Sequence, residues 1–128
     1  MLALNSARSA YRYLAALFVV DLALQLALAA YGAFHAHAGE PARDQSAFDP
    51  HRINGDISIL IAVLLLATAI AARNGRWRVV LPVFVLALIQ SVLAHAGTVG
   101  GVLHGLVAFL IVGAALELAR GAWARAPV

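Results

Sequence analysis

Apolar residues fill four long stretches of the chain, and polar residues are concentrated in the segments between them. The apolar stretches cover residues 11–34, 50–72, 77–96 and 98–119. A helix that crosses a bilayer needs about 20 mostly apolar residues, and each stretch supplies them. The pattern therefore predicts an all-α fold, an integral membrane up-down four-helix bundle that forms a single transmembrane domain over residues 1–128.

The segments between these stretches have the composition of turns. A polar loop covers residues 39–49, a basic turn covers residues 73–76, and a glycine-rich hairpin around residues 97–101 joins the third stretch to the fourth. Glycine and asparagine provide the backbone freedom that such turns need. Asp49 is expected to cap the second helix, with Pro50 at its first helical position.

The composition agrees with burial in lipid and excludes several kinds of site. Hydrophobic residues make up 63% of the chain and charged residues 12%, against roughly 45–50% and 25% in soluble domains. The sequence contains no cysteine, which excludes disulfides, thiolate zinc sites and iron–sulfur clusters. Its only methionine is Met1, so thioether copper sites and methionine-ligated haem are excluded as well.

The arginines indicate how the bundle is oriented. Arg43 and Arg52 fall at the end that carries the polar loop, among acidic residues. The other seven of the nine basic residues fall at the opposite end: Arg8, Arg12, Arg73, Arg76, Arg78, Arg120 and Arg125. The positive-inside rule then predicts that both termini are cytoplasmic, in a multi-pass protein of the bacterial inner membrane. Because the arginines are explained in this way, the net charge of +3 does not indicate nucleic-acid binding.

The first stretch also has features of a secretory signal peptide. Arg8 and Arg12 precede an apolar run that is followed by Ala36-His37-Ala38, a pattern similar to a cleavage site. The apolar run is longer than the about 7–15 residues that are usual in a signal peptide. A retained first helix is therefore expected.

All five histidines fall at the predicted outer ends of the helices. Imidazole is the commonest protein ligand for iron, copper and zinc, and polar groups at membrane depth usually face the interior of a bundle. A histidine beside a solvated loop can also stay without a ligand, which is expected for His37 and is an alternative for His35. The predicted metal ligands are His51 and His104, with His95 and His35 as alternates.

Small residues accompany both predicted ligands. Gly55 lies one turn from His51 on the same helix face. The small residues near His104 are Gly101, Gly105 and Ala108. They leave room for a flat macrocycle against the helix, and the same glycine spacing also favours close helix packing and a homodimer.

The second and fourth helices of an up-down bundle lie diagonally opposite each other. His51 and His104 can therefore ligate one haem iron from opposite faces, while Arg52 binds a propionate through a charge-assisted hydrogen bond. His104 lies six residues beyond Thr98, about 9 Å deep, whereas His51 lies in the first turn of its helix. The pair therefore requires a tilted or offset helix, and His95 would match the depth of His51 more easily.

The chain from His51 to about Trp123 resembles one half of the heme A synthase family. Those proteins repeat a four-helix unit with a histidine that opens its second helix and another near the start of its fourth, and these histidines pair around haem. The resemblance lies in three stretches: His51-Arg52-Ile53-Asn54-Gly55, Gln90-Ser91-Val92-Leu93-Ala94-His95-Ala96-Gly97-Thr98-Val99 and Leu103-His104-Gly105-Leu106-Val107-Ala108. It implies that His51 and His104 hold a haem.

The family differs from this chain in two respects. It has two such units and many members carry a cysteine pair in a loop, whereas this chain has one unit and no cysteine. The resemblance therefore implies a haem-holding role rather than haem oxygenation. The chain is also similar to small four-helix bacterial membrane proteins with a histidine-glycine second helix and a Leu-His-Gly fourth helix, and that similarity implies no activity.

Polar residues also lie deep in the predicted spans. Asp21 and Gln25 share one face of the first helix, and Gln90 lies on the third. A charged aspartate at the bilayer centre costs about 2.5–3.5 kcal/mol, so a protonated Asp21 or a hydrogen bond from it to Gln90 or Ser91 is expected. An interhelical hydrogen bond is the favoured interpretation, and proton delivery to a quinol or a redox centre is the alternative. Asp21 lies about 21 Å along the helix from His35, too far to touch a haem in the outer leaflet.

The leading functional hypothesis is a b-type haem protein for one-electron transfer or haem handling, rather than a stand-alone enzyme. Two axial histidines leave no open position on the iron for oxygen activation. The expected partners are the lipid bilayer and a quinone or a redox protein. A second hypothesis is an outer copper or zinc site of three or four histidines with Glu40 or Asp49. A third is a cofactor-free membrane protein whose glycine faces bind other helices.

Overall fold

The computed structural model describes residues 2–36, 45–73 and 75–124, and every element within these ranges is helical. Four long helices follow one another: α1 (Leu2–His35), α2 (Asp49–Ala71), α3 (Trp77–Leu93) and α4 (Gly97–Trp123). A single helical turn at residues 45–47 precedes α2. The predicted all-α fold is confirmed.

Three of the helices are long and apolar enough to cross a membrane. They are α1 over Leu4–His35, α2 over Asp49–Ala71 and α4 over Gly97–Trp123. α3 is apolar too, but its 17 residues reach about 25 Å, less than the roughly 30 Å of a hydrocarbon core. The helix lengths therefore indicate a membrane-embedded helical protein.

Several helix borders differ from the predicted ones. α1 begins at Leu2 rather than at residue 11, and α4 ends at Trp123 rather than at residue 119. The start of α2 and the end of α3 differ as well. α2 begins at Asp49 after Phe48 as N-cap, with no side-chain cap hydrogen bond, so the prediction that Asp49 caps this helix is wrong. The reason is the helical turn at residues 45–47, which leads into α2 so that the Arg52 N–H donates to the Phe48 carbonyl at 3.0 Å. α3 ends at Leu93 rather than at residue 96, which leaves His95 in the turn before α4.

The four helices pack as a closed ring in the order of the chain. Each helix contacts the next one, and α1 also contacts α4. Within the described ranges, no Cα atom of α1 lies within 8 Å of α3, and none of α2 lies within 8 Å of α4. The predicted diagonal relation between α2 and α4 is therefore confirmed. The largest side chains enclosed in the core are those of Tyr11, Phe18, Leu65 and Val80.

The turn between α3 and α4 depends on two glycines. Gly97 has a φ of 68°, a conformation that glycine adopts without strain. A Cβ atom on Gly100 would lie 2.5 Å from Ala96 Cβ and 2.7 Å from the Leu93 carbonyl oxygen. These glycines allow the chain to reverse direction tightly and thereby fix where α4 begins.

The opposite end of the bundle is held by arginine contacts. Arg76 donates to the Gly121 carbonyl, and its guanidinium lies 5.5 Å from the centre of the Tyr11 ring. Arg76 therefore ties the start of α3 to both α1 and α4. Arg120 pairs with Glu117 at 2.9 Å on the surface of α4.

Candidate functional site

The rings of His51 and His104 come together between α2 and α4. Their centroids lie 6.1 Å apart and their planes meet at 73°. Both side chains are partly buried. The structure therefore brings together, from diagonal helices, the two histidines that the sequence paired.

The two histidines stand at different distances from the starts of their helices. His51 is the third residue of α2, whereas His104 is the eighth residue of α4. Rings at one level would therefore need the start of α4 to project about 7–8 Å beyond the start of α2, at 1.5 Å per residue.

The separation of the ring centroids fits one metal ion between the rings, and it also fits an ordinary edge-to-face contact of two rings. A metal-bound imidazole nitrogen lies about 2.0–2.1 Å from its metal, and the ring centre lies about 1 Å further away. Two imidazoles on opposite sides of one ion therefore have centroids about 6 Å apart, which matches the 6.1 Å found for His51 and His104. Two neutral imidazoles are also a donor set that haem iron accepts.

Each histidine has its Nδ1 atom bound by a backbone carbonyl of an adjacent helix. His104 Nδ1 lies 2.9 Å from the Gln90 carbonyl on α3, and His51 Nδ1 lies 3.1 Å from the Gln25 carbonyl on α1. Because a carbonyl only accepts, Nδ1 carries the proton of each neutral ring and Nε2 keeps its lone pair. Metal-binding histidines usually have such a partner, which fixes the tautomer and the ring orientation.

Side-chain amides form a second layer of contacts around His51. Gln25 Nε2 donates to the His51 carbonyl at 3.0 Å and lies 3.5 Å from His51 Nε2. Asn54 Nδ2 in turn donates to Gln25 Oε1 at 2.9 Å. Gln25 and Asn54 therefore bridge α1 and α2 at the level of His51.

The polar contacts continue deeper into the bundle, to Asp21. Ser58 Oγ lies 2.6 Å from Asp21 Oδ2 and 3.0 Å from the Asn54 carbonyl. Asp21 is buried and has an interhelical hydrogen bond as predicted, but the predicted partners Gln90 and Ser91 are wrong. The reason is that α1 packs against α2, whereas α3 lies diagonally across the bundle.

Two residues predicted to lie beside a cofactor on α2 have protein partners. Arg52 is exposed and donates to Asp49 Oδ1 at 3.0 Å. The space beside Gly55 accommodates the Gln25 side chain, whose Nε2 lies 3.3 Å from the position that a Cβ on Gly55 would take. On α2, the missing side chain of Gly55 therefore makes room for the amide that supports His51.

The small residues predicted around His104 leave space on α4. A Cβ atom on Gly101 or Gly105 would meet no atom within 4 Å in the described part of the chain. Ala108 is partly buried one turn further along the helix. Gly101 is exposed and Gly105 is partly buried, so a side chain at either position would meet no neighbouring helix in the described part of the chain.

The other histidines have local partners. The Nδ1 atom of exposed His95 lies 3.0 Å from the Ser91 carbonyl on the preceding turn, and His35 stacks on Tyr31 with centroids 4.0 Å apart. His37 lies outside the described residues. Over the ranges that the structure describes, no three histidine or carboxylate side chains are grouped as a metal site would need. The copper or zinc site of three or four histidines stays a prediction.

Sequence reasoning missed the roles of Asn54 and Ser58. Their signal is spacing, because they lie four residues apart on α2, as Asp21 and Gln25 do on α1. Residues four apart share one face of a helix. Matching polar pairs on consecutive spans can therefore indicate a ladder of interhelical hydrogen bonds.

Comparison with protein-family models, curated proteins and solved structures found no match to this chain. The interpretation of the site therefore depends on its own chemistry. Two imidazoles with unprotonated Nε2 atoms can bind one metal ion, or the metal of one macrocycle.

Proposed function

We propose that this chain is a multi-pass protein of the bacterial inner membrane that binds haem b between His51 and His104 near the outer face. The observation that carries the proposal is the 6.1 Å approach of the two rings, each with Nδ1 hydrogen-bonded to a backbone carbonyl. Polar rings at membrane depth are costly, and a shared metal would compensate this cost. Haem, when bound, supplies one-electron redox chemistry.

The ligand set favours electron transfer or haem handling over catalysis. His51 and His104 would both ligate the iron and would leave no coordination position on it for a substrate. We propose a membrane quinone and a redox protein outside the cytoplasm as the exchange partners. The resemblance of the histidine stretches to the heme A synthase family supports the same haem-holding role.

The proposal includes four membrane crossings with both termini in the cytoplasm. α3 begins next to the basic turn, and the aromatic and arginine contacts of Arg76, Tyr11 and Trp123 lie at the same end of the bundle. Aromatic and basic residues concentrated at one end are typical of the cytoplasmic interface. The histidine pair would then lie toward the outer face.

The absorption spectrum of the purified full-length protein tests haem binding. We expect a Soret band, narrow visible bands on reduction, and one porphyrin per chain on extraction. Elemental analysis of the same sample identifies the competing outcome, a stoichiometric copper or zinc content in a colourless protein. A sample that is transparent above the near ultraviolet and yields no porphyrin would overturn the proposal.

The lack of cysteine in the sequence makes the topology easy to test. Single cysteines at Asn5, Val99 and Ala124 can be labelled with a membrane-impermeant maleimide. We expect Val99→Cys to be labelled in intact spheroplasts, and Asn5→Cys and Ala124→Cys to be labelled only after the membrane is opened. Labelling of Val99→Cys and Ala124→Cys from the same side would contradict the proposed crossing by α4.

A further inference from the structure

The Gln25 side chain is held by partners that define its orientation. Its Nε2 donates to the His51 carbonyl at 3.0 Å, and its Oε1 accepts from Asn54 Nδ2 at 2.9 Å. Rotating the amide by half a turn would place Oε1 against the His51 carbonyl and Nε2 against the Asn54 amide. Both contacts would then be repulsive. The amide orientation is therefore fixed by two independent partners.

We propose that Gln25 is a positioning residue for His51, an inference that rests on the haem-binding function proposed above. The Gln25 backbone carbonyl accepts from His51 Nδ1 at 3.1 Å, and the Gln25 amide hydrogens face His51 Nε2 at 3.5 Å. A carbonyl on one side of the ring and an amide N–H on the other select a single tautomer, with the proton on Nδ1 and a lone pair on Nε2. This tautomer is the one that can bind a metal through Nε2.

The amide also fixes the register of the two helices. Gln25 contacts His51 twice. Its side-chain amide donates to the His51 backbone carbonyl, and its own backbone carbonyl accepts from the His51 ring. The Asn54 amide strengthens this link, because it binds Gln25 Oε1 and lies 3.5 Å from the Asp21 carbonyl. Loss of the Gln25 side chain would therefore loosen the carbonyl that orients the ring.

A metal at His51 Nε2 would take the place of the long 3.5 Å contact with the Gln25 amide. The two shorter bonds of that amide, to the His51 carbonyl and to Asn54, do not involve Nε2 and can persist. The support of the ring is thus compatible with both the metal-free and the metal-bound protein.

Gln90 provides a matched control within the same chain. Its carbonyl accepts from His104 Nδ1 at 2.9 Å, as the Gln25 carbonyl does from His51. The Gln90 side chain differs, because its Oε1 is buried without a hydrogen-bond partner in the part of the chain that the structure describes. Gln25→Leu therefore removes an amide that bridges α1 and α2. Gln90→Leu removes an amide whose Oε1 has no described hydrogen-bond partner.

The experiment compares Gln25→Leu with Gln90→Leu in the full-length protein in lipid nanodiscs. Loss of an outer-shell partner typically weakens binding about 10–100-fold, so we expect the haem dissociation constant to rise by that factor in Gln25→Leu and by less than about threefold in Gln90→Leu. Equal losses in the two variants, or no loss in Gln25→Leu, would overturn the proposal.

A second measurement does not depend on haem. Nitrogen-15 NMR of histidine-labelled protein from haem-deficient cells reports the tautomer of His51. We expect the Nδ1–H form in the wild type and in Gln90→Leu, and a mixture of tautomers in Gln25→Leu. An unchanged His51 tautomer in Gln25→Leu would refute the positioning role even if the protein binds haem. If the wild type binds no haem but Gln25→Leu still shows the expected mixture of tautomers, only the haem proposal is refuted.

Asn54→Ala tests the same claim if Gln25→Leu does not fold. This variant removes the partner of Gln25 Oε1 and keeps the bond from Gln25 to the His51 carbonyl. We expect a shift of the tautomer ratio and of the haem dissociation constant in the same direction as in Gln25→Leu, but smaller. The absence of any shift in both quantities would overturn the proposal.

Discussion

The His51 and His104 halves of the candidate site differ in how the protein supports each ring. His51 is tied to α1 by a carbonyl and by the side-chain amides of Gln25 and Asn54. His104 is tied to α3 by the Gln90 carbonyl alone among the described hydrogen bonds. The first half therefore depends on side-chain chemistry, and the second on where the backbone of α3 and α4 lies.

This difference has a consequence for how a cofactor would bind. An outer-shell network that already exists in the protein holds a ligand in its binding orientation and lowers the cost of association. The small residues on α4 leave open space beside His104, whereas Gln25 fills the space beside Gly55 on α2. We therefore expect His51 to be prearranged, and His104 to adjust when the cofactor arrives.

Removal of the imidazole ring of His51 or of His104 should have the largest effect on the candidate site. We expect His51→Ala and His104→Ala each to abolish the low-spin spectrum of the proposed haem, because each would remove one of its two proposed ligands. His95→Ala and His37→Ala serve as controls and should leave the spectrum intact. An intact spectrum in His51→Ala, together with its loss in His95→Ala, would assign the pair to His95 and His104 and contradict the proposed site.

The glycine turn is the feature on which the His104 half depends. Gly100→Ala introduces a Cβ only 2.5 Å from Ala96 Cβ, and overpacking of this kind destabilises a protein by about 1–3 kcal/mol. Gly101→Ala is the adjacent control, because its Cβ would meet open space. Unfolding in mild detergent measures both, and a similar stability of the two variants would show that the turn does not position α4.

The contact between Asp21 and Ser58 tests the deep end of the His51 half. Interhelical hydrogen bonds in membranes contribute about 0.6 kcal/mol on average and up to about 1.7 kcal/mol. Asp21→Leu removes the interhelical partner of Ser58 Oγ and leaves its bond to the Asn54 carbonyl, so a loss of stability in this range is expected. Asp21→Asn keeps a polar group there and should retain most of the stability. If Asp21→Leu is as stable as the wild type, the ladder stops at Asn54.

The surface pair of the His51 half should have the smallest effect. The side chains of Arg52 and Asp49 are 56% and 58% exposed, and exposed ion pairs contribute about 0.2–1 kcal/mol. We expect Arg52→Gln to lower the free energy of unfolding by less than about 1 kcal/mol. The positions of the visible bands of the proposed haem should stay unchanged. Thermal unfolding and the reduced spectrum of one sample check both expectations. A large spectral change would assign Arg52 to the cofactor rather than to Asp49.

The fold was largely predictable because hydrophobicity marks long membrane helices directly. The four apolar stretches correspond to α1–α4, and the order of packing follows from the short connections between them. The end of α3 was less predictable. Ala94 and Ala96 are as apolar as the helix before them, but the chain turns there because Gly97 adopts a positive φ.

The candidate site was predictable only in part. The residue type and the predicted depth of His51 and His104 indicate that they pair. The partners of the two rings are the backbone carbonyls of Gln25 and Gln90, which the sequence does not indicate. A backbone carbonyl is present at every residue, so no residue type identifies which one will face a ring. The partner of Asp21 could not be predicted without knowing which helix packs against α1. Polar residues on α2 and on α3 are equally suitable hydrogen-bond partners when only the sequence is known.

The carbonyl bonds to His51 and His104 make the site depend on helix phase as well as on side-chain identity. Each helical residue turns the chain by about 100°. A one-residue insertion in α1 between Asp21 and Gln25 would therefore swing the Gln25 carbonyl away from His51, although every side chain of the original sequence is still present. A substitution at position 90 can leave the Gln90 carbonyl in place, whereas an insertion or deletion in α1 or α3 would displace the carbonyls that hold the rings.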